Sequence, residues 1–475
     1  MINTYFKQQI KQNFGFLPTF EQENVMDSLS DFLFSRSNGG IFVLQGYAGT
    51  GKTSLVGALV KTLTELKHPV VLLAPTGRAA KVFSLYADAA AYTIHRRIYR
   101  EKSFDGIGKF DLNFNKTKNA VFIVDEASMI SNAGLAGAVF GTGRLLDDLI
   151  SFVFQNEGCR LILLGDTAQL PPVGQNESPA LSVEVLRRYG MPVNVCELTQ
   201  VVRQHEDSGI LYNATQIRML LQSDEVYDFP KVRFSGFSDV HRVMGNDLIE
   251  TLSTSYSRVG HDETMVICRS NKRSNIYNNG IRNQILDRED LLCAGDRVMI
   301  AKNNYFWTEN IKEIDFIANG DMAVIRRVHH VRECYGFNFA DVVLQFPDYN
   351  DLELDVTVLL DTLQSEAPSL SQEENEILYN KVMEDYEDIP LKPDRIKSIR
   401  KNLYYNALQI KYAYAVTCHK SQGGQWEHVY VDQGYMPIEN LTSDYFHWLY
   451  TAFTRATQQL YLVNWPKEQI EKEKV

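Results

Sequence analysis

The chain has 475 residues, of which 44% are hydrophobic and 23% charged, a composition typical of a soluble globular protein with roughly two to four domains. Its six cysteines are scattered without a CxxC pair, which argues against a zinc site or a disulfide framework and fits a reducing cytoplasm. No stretch approaches the roughly 18 apolar residues of a membrane helix, and we expect a cytoplasmic protein without a membrane partner. The net charge of −11 argues mildly against nucleic acid as a partner, although an acidic molecule can carry a basic groove.

The strongest motif is a glycine-rich turn that follows the apolar run at 41–44. The sequence GYAGTGKT at 46–53 fits GxxxxGK[ST] without a mismatch and stands between a predicted strand and a predicted helix. Its glycines let the backbone point N–H groups at phosphates, and the helix adds its positive end. Lys52 would reach the β- and γ-phosphates, and Thr53 would place its hydroxyl on Mg²⁺. The motif predicts binding of a nucleoside triphosphate.

The segments on either side of this motif carry weaker signals. The stretch PTFEQENVMDSLSDFL has apolar residues at helical spacing, and Gln22 within it reads, by itself, as a solvated helix side chain. The strand VVLLA ends in Pro75-Thr76-Gly77, at a strand end where sites form in open α/β sheets. Residues 101–119 alternate phenylalanines with charges around two glycines and predict a β-hairpin. That hairpin is either a surface loop without a task or a small protruding pin.

Two further strands end in polar residues suited to phosphate chemistry. The strand in NAVFIVDEASM ends in Asp125 and Glu126. Asp125 can hold Mg²⁺ directly or through water, and Glu126 can orient and deprotonate an attacking water. The next strand, CRLILLGDTAQ, leads to Gln169, which can sense a γ-phosphate. The repeated order of strand and helix predicts a parallel α/β sheet.

The second half of the chain contains a β-rich region and a return to strand and helix order. Residues 366–388 are acidic and predict a helix or a mobile linker, whereas residues 392–412 mix cations with tyrosines. The latter pattern is typical either of a nucleic-acid track or of a solvated helix. Arg203 and Arg455 lie far from the glycine-rich motif in sequence. Each alone reads as a surface arginine, but both could reach the γ-phosphate as arginine fingers if a second sheet faces the first.

The ordered series of motifs resembles superfamily 1 helicases, and within them the RecD-like and Dda-like group, superfamily 1B. The resemblance runs in order from about residue 18 to residue 463. It is carried by GYAGTGKT (46–53), APTGRAAKV (74–82), TIH (93–95), VDEASM (124–129), GDTAQLPPVG (165–174), LTQVVRQ (198–204), VTCHKSQGGQWEHV (416–429) and YTAFTRA (450–456). Cys418 departs from the pattern, since the family usually has an aliphatic residue there.

The resemblance implies an α/β fold with two RecA-like P-loop domains and ATP in the cleft between them. It also implies a small β-hairpin insertion, called 1B, and an SH3-like β insertion, called 2B. The implied ranges are 1–200 for the first domain with its hairpin at about 100–119, 201–317 with 411–475 for the second domain, and 318–410 for the SH3-like insertion.

Individual roles follow from the same resemblance, and Gln22 then takes the place of a glutamine that reads the adenine. The residues expected to bind ATP are Gln22, Gly46, Ala48, Gly49, Thr50, Gly51, Lys52, Thr53 and Ser54, with Thr53 and Asp125 as Mg²⁺ ligands. The expected catalytic residues are Lys52, Asp125, Glu126, Gln169, Arg203 and Arg455. The residues expected near the DNA backbone are Thr76, His95, Thr417 and His419, and Gln422 would link the strand track to the nucleotide.

The implied activity is ATP-dependent, 5′ to 3′ movement of a monomer on single-stranded DNA, with unwinding at junctions between single strand and duplex. One alternative is an RNA helicase of the same superfamily, since no motif reads the 2′-hydroxyl. Another is an ATP-switched clamp that binds nucleic acid without moving along it. A P-loop ATPase that acts on proteins or small molecules is a third alternative, and it leaves APTGRAA and HKSQG unexplained.

Overall fold

The computed structural model contains two parallel β-sheets, a closed β-barrel and a two-stranded hairpin. It describes residues 2–35, 39–101, 110–134, 140–202, 208–223, 228–309, 311, 314 and 316–472. No helix in these ranges is both long and apolar enough to cross a bilayer.

The first sheet has six parallel strands in the order β3-β2-β6-β7-β1-β8. Its central strands are buried apolar runs because helices cover both faces, as is usual for parallel sheets. The elements of this domain are α1 (Ile2–Phe14), α2 (Phe20–Leu33), β1 (Gly40–Gly46), α3 (Lys52–Glu65), β2 (Val70–Ala74), α4 (Gly77–Ala87), β3 (Ala91–Thr93), α5 (Ile94–Ile98), β6 (Val121–Val124), a 3-10 helix (Ala127–Met129), α6 (Leu145–Val153), β7 (Arg160–Gly165), α7 (Val183–Arg187) and β8 (Val193–Leu198).

The predicted hairpin is represented by two short antiparallel strands, β4 (Tyr99–Glu101) and β5 (Phe110–Leu112). The residues between them, 102–109, lie outside the described part of the chain. The end of the predicted segment is not part of the hairpin, because Asn115 packs on the domain body and donates from Nδ2 to the carbonyl oxygen of Val153 at 3.1 Å. The paired strands of the hairpin therefore begin two residues before the predicted range 101–119 and end at Leu112, before its predicted end.

The second sheet has five parallel strands in the order β16-β10-β17-β18-β9. It is assembled from segments that precede and follow the barrel in the chain. Its elements are α8 (Gly209–Leu221), β9 (Val240–Val243), α9 (Leu248–Val259), β10 (Thr264–Cys268), α10 (Asn271–Gln284), β16 (Ala415–Thr417), α13 (Cys418–Ser421), β17 (Trp426–Asp432), a 3-10 helix (Ile438–Asn440), α14 (Ser443–Phe453), β18 (Ala456–Val463) and a 3-10 helix (Lys467–Gln469).

A closed barrel of five strands separates the two parts of the second sheet and fits the expected SH3-like insertion. Its strands reach from 297 to 412, beyond both ends of the predicted range 318–410, because short strands before and after that range close the barrel. Its elements are β11 (Arg297–Ile300), β12 (Met322–Cys334), β13 (Phe337–Phe346), a 3-10 helix (Pro347–Tyr349), β14 (Leu352–Leu359), α11 (Gln372–Glu384), α12 (Lys392–Ile399) and β15 (Leu408–Tyr412).

A buried ion-pair network fixes the start of the barrel against α10. The carboxylate of Asp296 is fully buried and accepts hydrogen bonds from Arg282 Nε at 3.0 Å, Arg288 Nη1 at 2.8 Å and the Tyr414 hydroxyl at 3.1 Å. Because Arg282 is also buried, removal of the carboxylate leaves the guanidinium of Arg282 in the interior without an opposite charge.

We expect Asp296→Ala to lower the free energy of unfolding by about 3–5 kcal/mol, the cost of breaking a buried ion pair from one side. Glu184→Ala is the matched control, because Glu184 forms an ion pair with Arg188 on an exposed surface and such pairs contribute about 0–1 kcal/mol. Urea unfolding followed by tryptophan fluorescence measures both values. Equal losses in the two variants would contradict a stabilising role for the network.

Candidate nucleotide site and domain cleft

The glycine-rich motif forms the turn between β1 and α3. Gly49 and Gly51 both have φ of +78°, a left-handed conformation that side chains with a Cβ disfavour. Gly51 is constrained further, because a Cβ there would lie 2.6 Å from Nε2 of Gln22. Lys52 begins α3 and donates from Nζ to the carbonyl oxygen of Gly46 at 3.1 Å, so its ammonium group is held over the turn.

Gln22 is buried at the start of α2 and contacts the glycine-rich turn directly. Its Nε2 donates to the carbonyl oxygen of Thr50 at 3.0 Å, and its Oε1 accepts from the backbone N–H of Thr19 at 3.0 Å. The second bond completes a capping box with Thr19. The solvated side chain expected from the local sequence is therefore wrong, because Gln22 is only 1% exposed and joins α2 to the phosphate-binding turn.

The two carboxylates after β6 are held by different contacts. Asp125 accepts from the Tyr86 hydroxyl at 2.6 Å and from the backbone N–H of Glu126 at 2.9 Å. Glu126 has φ of +50°, a left-handed conformation that is uncommon away from glycine and concentrates at functional sites. Burial raises the pKa of Glu126, and the positive charge of Arg455 opposes that rise. A carboxylate with a raised pKa beside a phosphate-binding turn suits a general base.

The loop that follows β7 is bound by side chains from the second domain. The Tyr450 hydroxyl donates to Asp166 at 2.7 Å and accepts from the backbone N–H of Ala48 at 2.9 Å, so one side chain of α14 contacts both the loop and the glycine-rich turn. The Thr451 hydroxyl accepts from the N–H of Leu170 at 2.8 Å. Gln422 donates to the carbonyl oxygen of Leu170 at 2.7 Å. These contacts couple the loop to the second sheet.

Gln169 lies in this loop with a free acceptor. Its side chain is 7% exposed, and its Oε1 atom has no hydrogen-bond partner among the described residues. A buried polar atom without a partner costs free energy, and such atoms often mark positions that a ligand or water completes. Gln169 also lines the cavity that contains the glycine-rich turn.

A single cavity of about 730 Å³ brings these groups together at the carboxyl ends of β1, β6 and β7. Arg455 forms part of its wall from the second domain, and it donates to the carbonyl oxygens of Thr451 at 3.1 Å and Gly424 at 3.2 Å. Of the expected ATP-binding and catalytic residues, those that line the cavity are Gln22, Ala48, Gly49, Thr50, Gly51, Lys52, Thr53, Ser54, Asp125, Glu126, Gln169 and Arg455. Arg203 lies outside the described residues, and Val202 at the edge of the described part lines the same cavity.

The other end of the cavity is apolar. Phe16 and Leu17 line it near Gln22 and are 73% and 95% exposed, which is unusual for side chains of this type. Exposed apolar side chains beside a buried amide are suited to a planar base that both stacks and forms hydrogen bonds. Neither residue was predicted from the sequence, although only Pro18 and Thr19 separate them from the helix that carries Gln22.

The four residues expected near a DNA backbone lie in two different environments. Thr76 caps α4 and lies against Gly423, since a Cβ on that glycine would be 3.1 Å from Thr76 Oγ1. Thr417 is the last residue of β16 and directly precedes α13, and His419 on that short helix is exposed. His95 instead packs against Tyr99 and Phe140, and burial lowers its pKa to about 4. Its imidazole is therefore neutral at pH 7, so it would contact a phosphate as an uncharged group.

Two tyrosines of the site were missed in the sequence. Tyr86 holds Asp125, and Tyr450 connects Asp166 to Ala48. Tyr450 stands inside the motif YTAFTRA, so its position was available, but its partners are 284 and 402 residues away along the chain. Tyr86 has no local signal, since it reads as one more apolar position of α4.

The fold and the cavity define a P-loop nucleoside triphosphatase with two RecA-like sheets that face one cleft. A family model for an AAA domain matches residues 29–220, and one for a UvrD-like helicase C-terminal domain matches residues 412–463. The two models therefore fall on the first sheet and on the end of the second.

Three relatives match different shares of the chain. The chain is 24% identical to the uncharacterized protein MJ1519 of Methanocaldococcus jannaschii, a match over 93% of this chain and 38% of that protein. It is 31% identical to the ATP-dependent RecD2 DNA helicase of Deinococcus radiodurans over 41% of this chain and 23% of that protein. It is 27% identical to the ATP-dependent DNA helicase dda of Enterobacteria phage T4 over 54% of this chain and 55% of that protein. The chain thus spans less than two thirds of the length of each of these relatives.

The ordered motifs and these matches together support a superfamily 1B helicase, similar to the RecD-like and Dda-like group.

Proposed function

We propose that the chain is an ATP-dependent DNA helicase that moves 5′ to 3′ on single-stranded DNA and unwinds duplex at junctions. The observation that carries the proposal is the cavity shared by Lys52, Glu126 and Gln169 of one sheet and Arg455 of the other. A nucleotide bound between two sheets can change their separation when its γ-phosphate is removed. DNA as the substrate rests on the named activities of the RecD2 and dda relatives. We propose that it works as a monomer.

In the proposed cycle, Lys52 and Arg455 neutralise the charge of the γ-phosphate from the two sides of the cleft, with Arg203 as a second finger. Glu126 takes a proton from the attacking water, and Gln169 either accepts a hydrogen bond from that water at Oε1 or donates one from Nε2 to the γ-phosphate. Loss of the phosphate weakens the attraction across the cleft, which reopens. Alternating contacts of Thr76 and His95 on one side, and Thr417 and His419 on the other, then advance the strand.

The chemistry of the donor set fits Mg²⁺. Thr53 and Asp125 offer hard oxygen ligands, and among the described residues there is no cluster of three or more acidic, histidine or cysteine side chains that could hold a metal alone. Mg²⁺ in such sites is bound by one or two protein oxygens together with substrate phosphates. When bound, it would neutralise charge on the β- and γ-phosphates.

We expect Tyr450→Phe to slow DNA-stimulated ATP hydrolysis, because the hydroxyl is the contact that joins α14 to both Ala48 and Asp166. Loss of a hydrogen bond to a charged group costs about 1.5–3 kcal/mol, which corresponds to a decrease in rate of about 10- to 100-fold if the contact supports the closed cleft. Tyr445→Phe is the matched control, since that hydroxyl donates to Gln433 within the second domain. Equal rates for the two variants would contradict the coupling role of Tyr450.

The polarity of movement is tested with duplexes that carry a single-stranded tail on either the 5′ or the 3′ side. We expect ATP-dependent strand separation of the 5′-tailed duplex and little separation of the 3′-tailed duplex. The Glu126→Gln variant serves as the control for strand separation that does not depend on ATP hydrolysis. Preference for the 3′-tailed duplex would contradict the proposed direction, and binding of both without separation would favour a clamp.

A further inference from the structure

A second cavity of about 300 Å³ lies on the barrel, away from the nucleotide cleft. One wall is the segment 302–309 that follows β11, and the other is the turn 400–407 between α12 and β15. The volume is at the small end of the range for ligand pockets, about 300–1,000 Å³, and suits one nucleotide. It shares no lining residue with the cavity that contains the glycine-rich turn.

The two walls are fixed to each other by neutral hydrogen bonds. The carbonyl oxygen of Asn406 accepts from Asn304 Nδ2 and from Trp307 Nε1, both at 2.8 Å. The side chain of Asn406 in turn donates to the carbonyl oxygens of Arg400 and Asn402, both at 2.8 Å. The cavity is therefore a built feature of the fold, and its charged side chains are not needed to hold it together.

Three cations line this cavity, and among the described residues none of them forms an ion pair. They are Lys302, Arg400 and Lys401, and Glu309 is the one carboxylate among the described residues that line the cavity. Lys302 has only a long contact of 3.4 Å to Asn375 Oδ1, and burial lowers its pKa without any acid to oppose the effect. By contrast, Arg332 of the barrel is paired with Asp341, and Arg273 of the second domain with Asp432. A concave site with excess positive charge favours an anion.

Aromatic rings stand beside these cations. Tyr405 lines the cavity, and although its ring meets that of Tyr379 edge to face at 5.9 Å, the residue is still 38% exposed. Tyr404 is less available because its ring packs 5.1 Å from that of Phe339 in the barrel. The basic and aromatic stretch 392–412 therefore lies in two environments. Lys411 and Tyr412 are buried in β15. Arg400, Lys401 and Tyr405 line the cavity. Cations next to an accessible ring are typical of sites for single-stranded nucleic acid.

The cavity adjoins the base of the hairpin. Tyr305 lines it and also packs against Phe110 of β5, with ring centroids 4.8 Å apart. The groove along α4, close to the expected track residue Thr76, is lined by a different set of residues. The cavity therefore lies where the barrel meets the base of the hairpin, and it is separate from the groove along α4.

We propose that this cavity binds the second single-stranded arm of a DNA fork, with a phosphate between Lys302, Arg400 and Lys401 and a base stacked on Tyr405. The inference rests on the proposed function, because the hairpin would be where the two arms separate. Holding the second arm on the barrel would oppose reannealing behind the hairpin.

The test compares a forked DNA with the same tailed duplex lacking the second arm, by fluorescence anisotropy at several salt concentrations. We expect the arm to increase the affinity of the wild-type chain, and the Arg400→Ala/Lys401→Ala double variant to lose at least about tenfold of that increase. The salt slope for the fork should fall by about 1.4, or 0.7 for each lost single-strand phosphate contact. Tyr405→Ala should lower the affinity for the fork about 5- to 100-fold, whereas Tyr405→Phe should retain the wild-type affinity because its ring still stacks.

Lys397→Ala is the matched control, because Lys397 is an exposed cation of α12 that does not line the cavity. ATP hydrolysis stimulated by a short oligonucleotide should be unchanged in every variant, which shows that the motor is intact. Equal fork affinity of the double variant and Lys397→Ala would overturn the inference alone. If the double variant binds labelled ADP more weakly but keeps the wild-type affinity for the fork, the inference is also overturned, and the cavity is assigned to a free nucleotide. A wild-type chain that binds neither DNA would instead overturn the proposed function.

Discussion

We expect Lys52→Ala to lower ATP turnover about 100- to 1,000-fold, the usual cost of removing one electrostatic donor at a developing charge. The ammonium group of Lys52 lies over the glycine-rich turn, 3.1 Å from the carbonyl oxygen of Gly46, and no other lysine in the described part of the chain lines the cavity. Because this contact is local, the variant should keep its fold and its affinity for DNA. Steady-state hydrolysis, DNA binding and thermal melting measure the three quantities.

Lys61→Ala is the control for Lys52→Ala, since Lys61 stands on the same helix and is exposed to solvent. It should hydrolyse ATP at the wild-type rate. Retained DNA-dependent hydrolysis in Lys52→Ala would show that the glycine-rich turn is not the site of turnover, and the assignment of the cavity would then be wrong.

The second large effect is expected for Glu126→Gln, which should slow hydrolysis about 100- to 10,000-fold by removing a general base while preserving shape. ATP binding should remain, because the substitution preserves the shape of the side chain and leaves Lys52 and the glycine-rich turn in place. The variant should therefore accumulate in the ATP-bound state and retain tight binding to DNA. Measurements of single-turnover hydrolysis and nucleotide affinity separate the two effects.

The pH dependence of hydrolysis tests the same role. Burial raises the pKa of Glu126 above the ordinary value of 4.5, and the charge of Arg455 limits the rise. A base must be deprotonated, so activity should fall as pH decreases through this raised pKa, and the acidic limb should lie above pH 4.5. Arg455→Ala removes the opposing charge and should move the limb to higher pH. An acidic limb that is the same in both proteins would contradict a direct influence of Arg455 on Glu126.

The glycine-rich turn and the carboxylates were predictable because their chemistry is local. A strand that ends in glycines and a lysine has few other uses, and an acidic pair directly after an apolar run indicates a strand end. The structure places both at one edge of the first sheet, as parallel strand order requires. The prediction that Gln22 belongs to the nucleotide site came only from the family resemblance, because nothing in its own helix indicates a contact with Thr50.

Other features could not be predicted because they depend on distant contacts. Tyr450 meets Ala48 across 402 residues of sequence, and no local pattern encodes that distance. The barrel begins earlier than expected because β11 has only four residues and closes by pairing with β15, more than a hundred residues later. The basic stretch 392–412 looked uniform, yet a strand of the barrel buries Lys411 while Arg400 stays at the surface of the cavity.

The most direct test of the central claim is steady-state ATP hydrolysis by the purified chain alone, with single-stranded DNA and with single-stranded RNA. An ATP-driven DNA motor predicts slow hydrolysis by the chain alone and strong stimulation by DNA but not by RNA. Strong stimulation by RNA would contradict DNA as the substrate, and fast hydrolysis that responds to neither polymer would contradict a nucleic-acid motor altogether.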